Sequence, residues 1–228
     1  MSMRTGIIVI AAVAAMSAGF WLSLLQQGSN EQIYQDTLEK AHEKEVAEAR
    51  KNFSPIQGTI LSAARKITVP ALVKDNGHAF TLDDLTGHWS LLFFGYTHCP
   101  DICPTTMGAV AQAGKIARTN NHLFPRVFFV SVDPERDKVE MLTEYVQYFD
   151  KDFIAVTGDE KLIKAFTLQM SVVYMKMPAE GDTGDYIIDH SAALLLINPQ
   201  GKLVAFFNPP HDPKTILKDF QTVVNLFK

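Results

Sequence analysis

Leu91 to Tyr96 reads Leu-Leu-Phe-Phe-Gly-Tyr, a run without a single charged side chain. A strand of this kind is covered on both faces, as strands are in sheets flanked by helices. That requirement directs the chain towards an α/β architecture. A second run of the same type, Arg126 to Val132 (RVFFVSV), follows a helix-compatible segment from Thr105 to Arg118.

The remaining segments continue the alternation. Val139 to Phe149 spaces Met141, Leu142, Tyr145, Val146 and Phe149 along one helical face. A short strand at Phe153 to Val156, a helix at Glu160 to Leu168 and a strand at Val172 to Met177 come next. Ala192 to Ile197 and Leu203 to Phe207 flank Asn198-Pro199-Gln200-Gly201-Lys202, which is turn chemistry for a hairpin. Pro213 to Phe227 closes the chain as an amphipathic helix with Ile216, Leu217, Phe220, Val223, Val224 and Phe227 inward. Upstream, Thr68 to Val73 and His78 to Leu82 flank Lys74-Asp75-Asn76-Gly77, where Asn-Gly supplies the positive φ of a tight turn. This order fits a thioredoxin-like α/β fold with a mixed central sheet and an extra N-terminal hairpin, and the periodicity alone also accommodates other open-sheet folds.

The first residues differ in character. Gly6 to Leu25 is 20 residues without a charge, enough for a helix to cross a bilayer core of about 30 Å. A cleaved signal peptide has a shorter apolar region, roughly 7 to 15 residues. Length and the position of Trp21 therefore predict a retained anchor over residues 1–28. Arg4 ahead of the span and Glu31 and Asp36 after it predict a cytoplasmic N-terminus, with the bulk of the chain outside. Residues 29–53, rich in Glu, Lys, Ala and Gln, read as a polar helical stalk, and residues 54–228 as the compact domain. A formal net charge of -4 offers no basic face for nucleic acid. With 47% hydrophobic residues the chain can build a core, so wholesale disorder is excluded.

The only two cysteines, Cys99 and Cys103, lie where the first buried strand turns into a helix. On a helical turn, positions i and i+4 share a face, at a Cα separation compatible with a disulfide. Reduced, the same sulfurs converge and can hold a metal. Pro104 suits a first helical turn, which places Cys103 near a helix N-terminus and favours its thiolate. A structural disulfide, a redox pair and a metal site are all open readings. A disulfide across so short a loop stabilises little, and redox motifs more often separate the cysteines by two residues.

A metal needs a third ligand. Of seven histidines, His42 falls in the stalk and His78 and His88 in turn-rich segments. His98 adjoins Cys99 and on an extended chain points to the opposite side. His190, in a loop before the strand at Ala192, is the best placed. Two thiolates and one imidazole suit Cu(I) and also accept Cu(II), whereas structural zinc normally takes four ligands. Asp189 is a candidate to orient His190, or faces solvent. Met170, Met175 and Met177 have the look of a soft-metal cluster, although methionines more often fill cores.

Three stretches, Tyr96-Thr97-His98-Cys99-Pro100-Asp101-Ile102-Cys103-Pro104, Ser131-Val132-Asp133-Pro134-Glu135-Arg136-Asp137 and Asp185-Tyr186-Ile187-Ile188-Asp189-His190-Ser191, resemble the Sco/SenC family in sequence and order. The resemblance spans roughly Pro70 to the C-terminus. It implies a membrane-tethered, thioredoxin-like domain that binds one copper through Cys99, Cys103 and His190. It further implies a metallochaperone, and not a turnover enzyme, that serves the copper A centre of cytochrome c oxidase subunit II by delivering copper, by reducing that subunit's cysteines, or both. Other periplasmic copper chaperones or thiol reductants are implied partners. The alternative is a thiol-disulfide oxidoreductase or redox sensor built on the same pair. Asp133 begins what resembles the family's acidic loop, whose carboxylates tune the site, contact a partner or simply hold a turn. With its positive-inside anchor and no Arg-rich, Ser-rich leader, the chain is expected in a bacterial inner membrane facing the periplasm, in preference to a mitochondrial inner membrane.

Overall fold

The computed structural model describes residues 56–178 and 186–227, together with Thr37, Leu38 and Lys40, which are helical. The chain divides into two units, Met1–Pro55 and Ile56–Lys228. The expected anchor at 1–28 lies outside the described residues, as does most of the stalk at 29–53. Among the described residues no helix is long and apolar enough to cross a membrane.

The second unit is an α/β fold around one eight-stranded sheet. In chain order its elements are β1 (Gly58–Lys66), β2 (Leu72–Lys74), β3 (Ala79–Phe80), a 3-10 turn (Leu82–Leu85), β4 (Ser90–Gly95), α1 (Ile102–Thr119), β5 (Arg126–Ser131) and α2 (Val139–Phe149). Then follow β6 (Ile154–Thr157), α3 (Glu160–Gln169), β7 (Tyr174–Pro178), β8 (Tyr186–His190), β9 (Leu194–Ile197), β10 (Lys202–Phe207) and α4 (Pro213–Leu226). The strand order is β1-β10-β9-β4-β5-β6-β2-β3. β4, β5 and β6 are parallel, whereas β9 runs antiparallel to β4, so the sheet is mixed as expected.

Every residue of β4 is buried, which its composition demanded. It lies between β5 and β9, with Phe93 opposite Phe129 on one side and Leu194 on the other. The N-terminal hairpin is present: Gly77 adopts φ 80° between β2 and β3, and β2 joins the sheet beside β6. The helices begin where their caps dictate. Asp212 accepts a bond from the Thr215 amide at 2.9 Å, with Pro213 at the first helical position, and Asp159 caps α3 in the same manner.

Four elements depart from the sequence expectation. The strand expected at Thr68 to Val73 begins only at Leu72, as β2. β1 was not anticipated, because a register shift between Ile60 and Arg65 breaks the alternation of apolar and polar residues that would have announced it. The strand expected at His78 to Leu82 stops at Phe80, and Thr81 starts the 3-10 turn with a capping box to Asp84. His190, expected in a loop, ends β8, which among the described residues pairs with β7 in a separate two-stranded sheet.

Candidate metal centre

The carboxyl end of β4 delivers the chain to the thiols. Beyond Gly95 the chain leaves the sheet, with the Gly95 carbonyl still accepting from the Val132 amide at 2.8 Å. Gly95 has no room for a side chain: a Cβ there would lie 2.9 Å from both Cys103 Sγ and Phe129 Cε2. The loop is held by a buried carboxylate. Asp137 accepts from the Thr97 amide at 3.0 Å, the Thr97 hydroxyl at 2.6 Å and the Ser131 hydroxyl at 2.7 Å. Three donors to one buried anion fix the segment before Cys99 against the end of β5.

Cys99 lies ahead of α1 and Cys103 is its second residue. The Cys103 amide, one of the orphan donors of the first helical turn, points at Cys99 Sγ at 3.4 Å. Both cysteines are buried and unpaired. The sequence expectation of an activated Cys103 is reversed. Hydrogen bonding from Cys103 outweighs burial and draws the Cys99 thiol down to about 4, whereas that same bond and burial push Cys103 up. Cys99 is thus the more acidic thiol of the pair, chiefly because it accepts the bond from the Cys103 side chain, with the Cys103 amide at the start of α1 adding to the effect.

The third group arrives from β8. His190 Nε2 is 3.2 Å from Cys103 Sγ, and the residues meet across 87 positions of sequence. Nδ1 is 3.0 Å from the Ser191 carbonyl oxygen. A carbonyl only accepts, so Nδ1 carries a proton, and Nε2 is the ring nitrogen that faces the sulfurs. The ring is walled by Phe93 and Tyr96, each 6.0 Å away between centroids. One ligand atom from each of Cys99, Cys103 and His190 lies within 4.8 Å of the other two. A soft ion fits this donor set.

Asp189, the candidate to orient His190, does not do so. Successive strand residues face opposite ways, and Asp189 is exposed opposite Met175 while the Ser191 carbonyl orients the ring. His98 is half-exposed beside Thr97 and Asp137, away from the sulfurs. Asp133 is buried, which removes it as a contact for another protein. Its carboxylate accepts from Arg136 Nε at 2.6 Å and from the Tyr186 hydroxyl at 2.7 Å. Arg136 also donates to the Tyr186 carbonyl at 3.0 Å and stacks on that ring at 3.7 Å. Burial and the Asp133 carboxylate push the Tyr186 phenol up, so it remains a donor. The Tyr96 hydroxyl accepts from the Ile188 amide at 3.1 Å, a further tie to β8.

Sequence reasoning missed this supporting set of Tyr96, Thr97, Arg136, Asp137 and Tyr186. The signal was present in the three motif stretches, whose polar residues turn out to bind one another. Asp137 serves the cysteine loop, and Asp133 with Arg136 serves the histidine strand.

Known proteins share these features. Residues 63–225 match the family model described as SCO1/SenC. A mitochondrial SCO1 homologue of Arabidopsis thaliana is 35% identical over 196 residues, 84% of this chain and 57% of that protein, so the chain spans little more than half of this relative. A SCO2-like protein of Rickettsia prowazekii is 38% identical over 66% of this chain and 73% of its own length. A crystal structure of Arabidopsis thaliana ScoI with copper bound has a TM-score of 0.62 at 34% identity, covering 72% of this chain and 98% of that one. The mixed sheet is thus the thioredoxin-like fold of that structure, and the chain belongs to the SCO1/SenC family.

Proposed function

We propose that this chain is a copper-binding assembly protein for cytochrome c oxidase, holding one copper ion as cargo through Cys99, Cys103 and His190 and passing it to the copper A centre of subunit II. The observation that carries this reading is the convergence of two sulfurs and His190 Nε2 on a single point. Membership of the SCO1/SenC family and the copper-bound Arabidopsis structure support it. The uncharged stretch from Gly6 to Leu25 supports tethering to a membrane, with the thiol-bearing domain in a periplasm-like compartment. Relatives in a bacterium and in mitochondria are consistent with either inner membrane, and Arg4 ahead of the span favours an orientation that keeps the N-terminus inside.

Anaerobic Cu(I) titration of the full chain and of His190→Ala tests the ligand set. The parent is expected to bind one equivalent at this centre and the variant to bind it at least tenfold more weakly. Equal affinities and spectra would remove His190 from the site.

A second reading, thiol reduction of the same acceptor, is favoured by the asymmetry of the pair. An ionised Cys99 attacks a disulfide sulfur to give a mixed disulfide, and Cys103 then displaces the substrate thiol, leaving Cys99 and Cys103 oxidised and the substrate reduced. Both activities use one pair of sulfurs, so oxidation of the pair excludes copper.

A further inference from the structure

Met170, Met175 and Met177 look alike in sequence, and the fold separates them. Met170 is fully buried and belongs to the core. Met175 and Met177 are 59% and 43% exposed on the outer face of β7, so core filling does not account for them. The register sets Met175 opposite Asp189 and Met177 opposite Ile187, while Tyr174 and His190 pair on the inner face. Residues two apart on one strand face are separated by roughly 6.6 Å at Cα, and a thioether with three rotatable bonds easily spans half of that. The Asp189 carboxylate is the cross-strand neighbour of Met175, with Cβ atoms about 5 Å apart. Two thioethers beside one carboxylate make a donor set that selects Cu(I) over harder or divalent ions, with the carboxylate balancing its charge.

We propose that Met175, Met177 and Asp189 form a second, weaker copper(I) site on the outer face of the β7–β8 hairpin, the element whose inner face carries His190. Ion binding there follows from the donor set alone. Its use as a station for copper on its way to the cysteines rests on the copper-handling reading above.

The test uses the full chain carrying Cys99→Ser and Cys103→Ser, which silences the main centre, with silver(I) as a redox-silent probe and anaerobic Cu(I) as the ion itself. Methionine ε-methyl resonances are followed by NMR. Met175 and Met177 are expected to shift together and saturate at one equivalent. Met141, 42% exposed on α2, serves as the internal control and stays in place. Adding Met175→Leu and Met177→Leu is expected to abolish that equivalent. Shifts no larger than that of Met141, or unchanged stoichiometry in the leucine variant, would overturn the site and leave this face as an apolar protein contact with Val173 and Ile187. Failure of the main centre is read independently, from loss of the first Cu(I) equivalent in the chain with both cysteines intact.

Discussion

Cys99 and Cys103 differ because one accepts the bond that joins the two thiols and the other donates it. The backbone amide of Cys103 also serves the sulfur of Cys99, while Cys103 Sγ is fully buried close to Gly95. The consequence is measurable. With the Cys99 thiol held at about 4, its alkylation by iodoacetamide in the copper-free folded chain is expected to stay nearly constant from pH 8 to pH 5.5. The rate should fall only as pH approaches 4, with Cys103 unmodified throughout. Mass spectrometry of quenched samples checks this, and a rate that rises tenfold per unit up to pH 9 would contradict it. The cysteines announced themselves in the sequence, but the direction of their asymmetry did not. It depends on whether α1 starts before or after Cys103, and helix boundaries are what sequence periodicity fixes least well.

The β7–β8 hairpin shows how a half-exposed element stays in place. It makes no ladder bonds to the main sheet, and side chains from the acidic loop secure it instead. Tyr186→Phe removes a donor from the buried Asp133 carboxylate. It is expected to destabilise the domain by about 1–3 kcal/mol and to weaken copper binding through misplacement of His190, while Cys99 alkylation is unchanged. Urea denaturation together with copper titration separates these effects, and an unaltered affinity would show that the tie does not position the imidazole. β8 was missed because Tyr186-Ile187-Ile188-Asp189-His190 carries no clean alternation, its single buried residue being Ile188. β4 and β5, buried on both faces, were evident from composition alone. His190 was a candidate ligand by residue type and position, and the fold brings it to the two cysteines, whereas the partner of its Nδ1 required coordinates, since a backbone carbonyl leaves no mark in sequence.

Across the whole domain the centre exists only when the sheet is assembled. β4, which leads to the cysteines, and β9, which follows His190, are antiparallel neighbours, so one pairing brings together Cys103 and His190, 87 positions apart. The C-terminal segment then braces this junction. His211 Nε2 lies 2.7 Å from the Ala192 carbonyl, two residues after His190, just ahead of α4. Burial lowers the His211 pKa below the ordinary 6.5 despite that bond. The unfolded chain therefore takes up a proton before the folded one does. The stability that neutral His211 contributes is therefore present above pH 6.5 and is lost as pH falls below it. His211→Gln is expected to flatten that acid limb between pH 6.5 and 5, measured by urea denaturation at successive pH values. An unchanged slope would assign the acid sensitivity elsewhere.

The separate hairpin gives the centre two unequal halves. The thiols are built into the junction of the central strand and α1, where any shift disturbs the core. The imidazole rides on an element tied down by a few side-chain bonds, notably those from Tyr96, Asp133 and Arg136. If Cys99, Cys103 and His190 hold copper as proposed, the imidazole would be the ligand freest to withdraw, and its reach would be governed by Tyr96, Asp133 and Arg136, none of which is among the three candidate ligands.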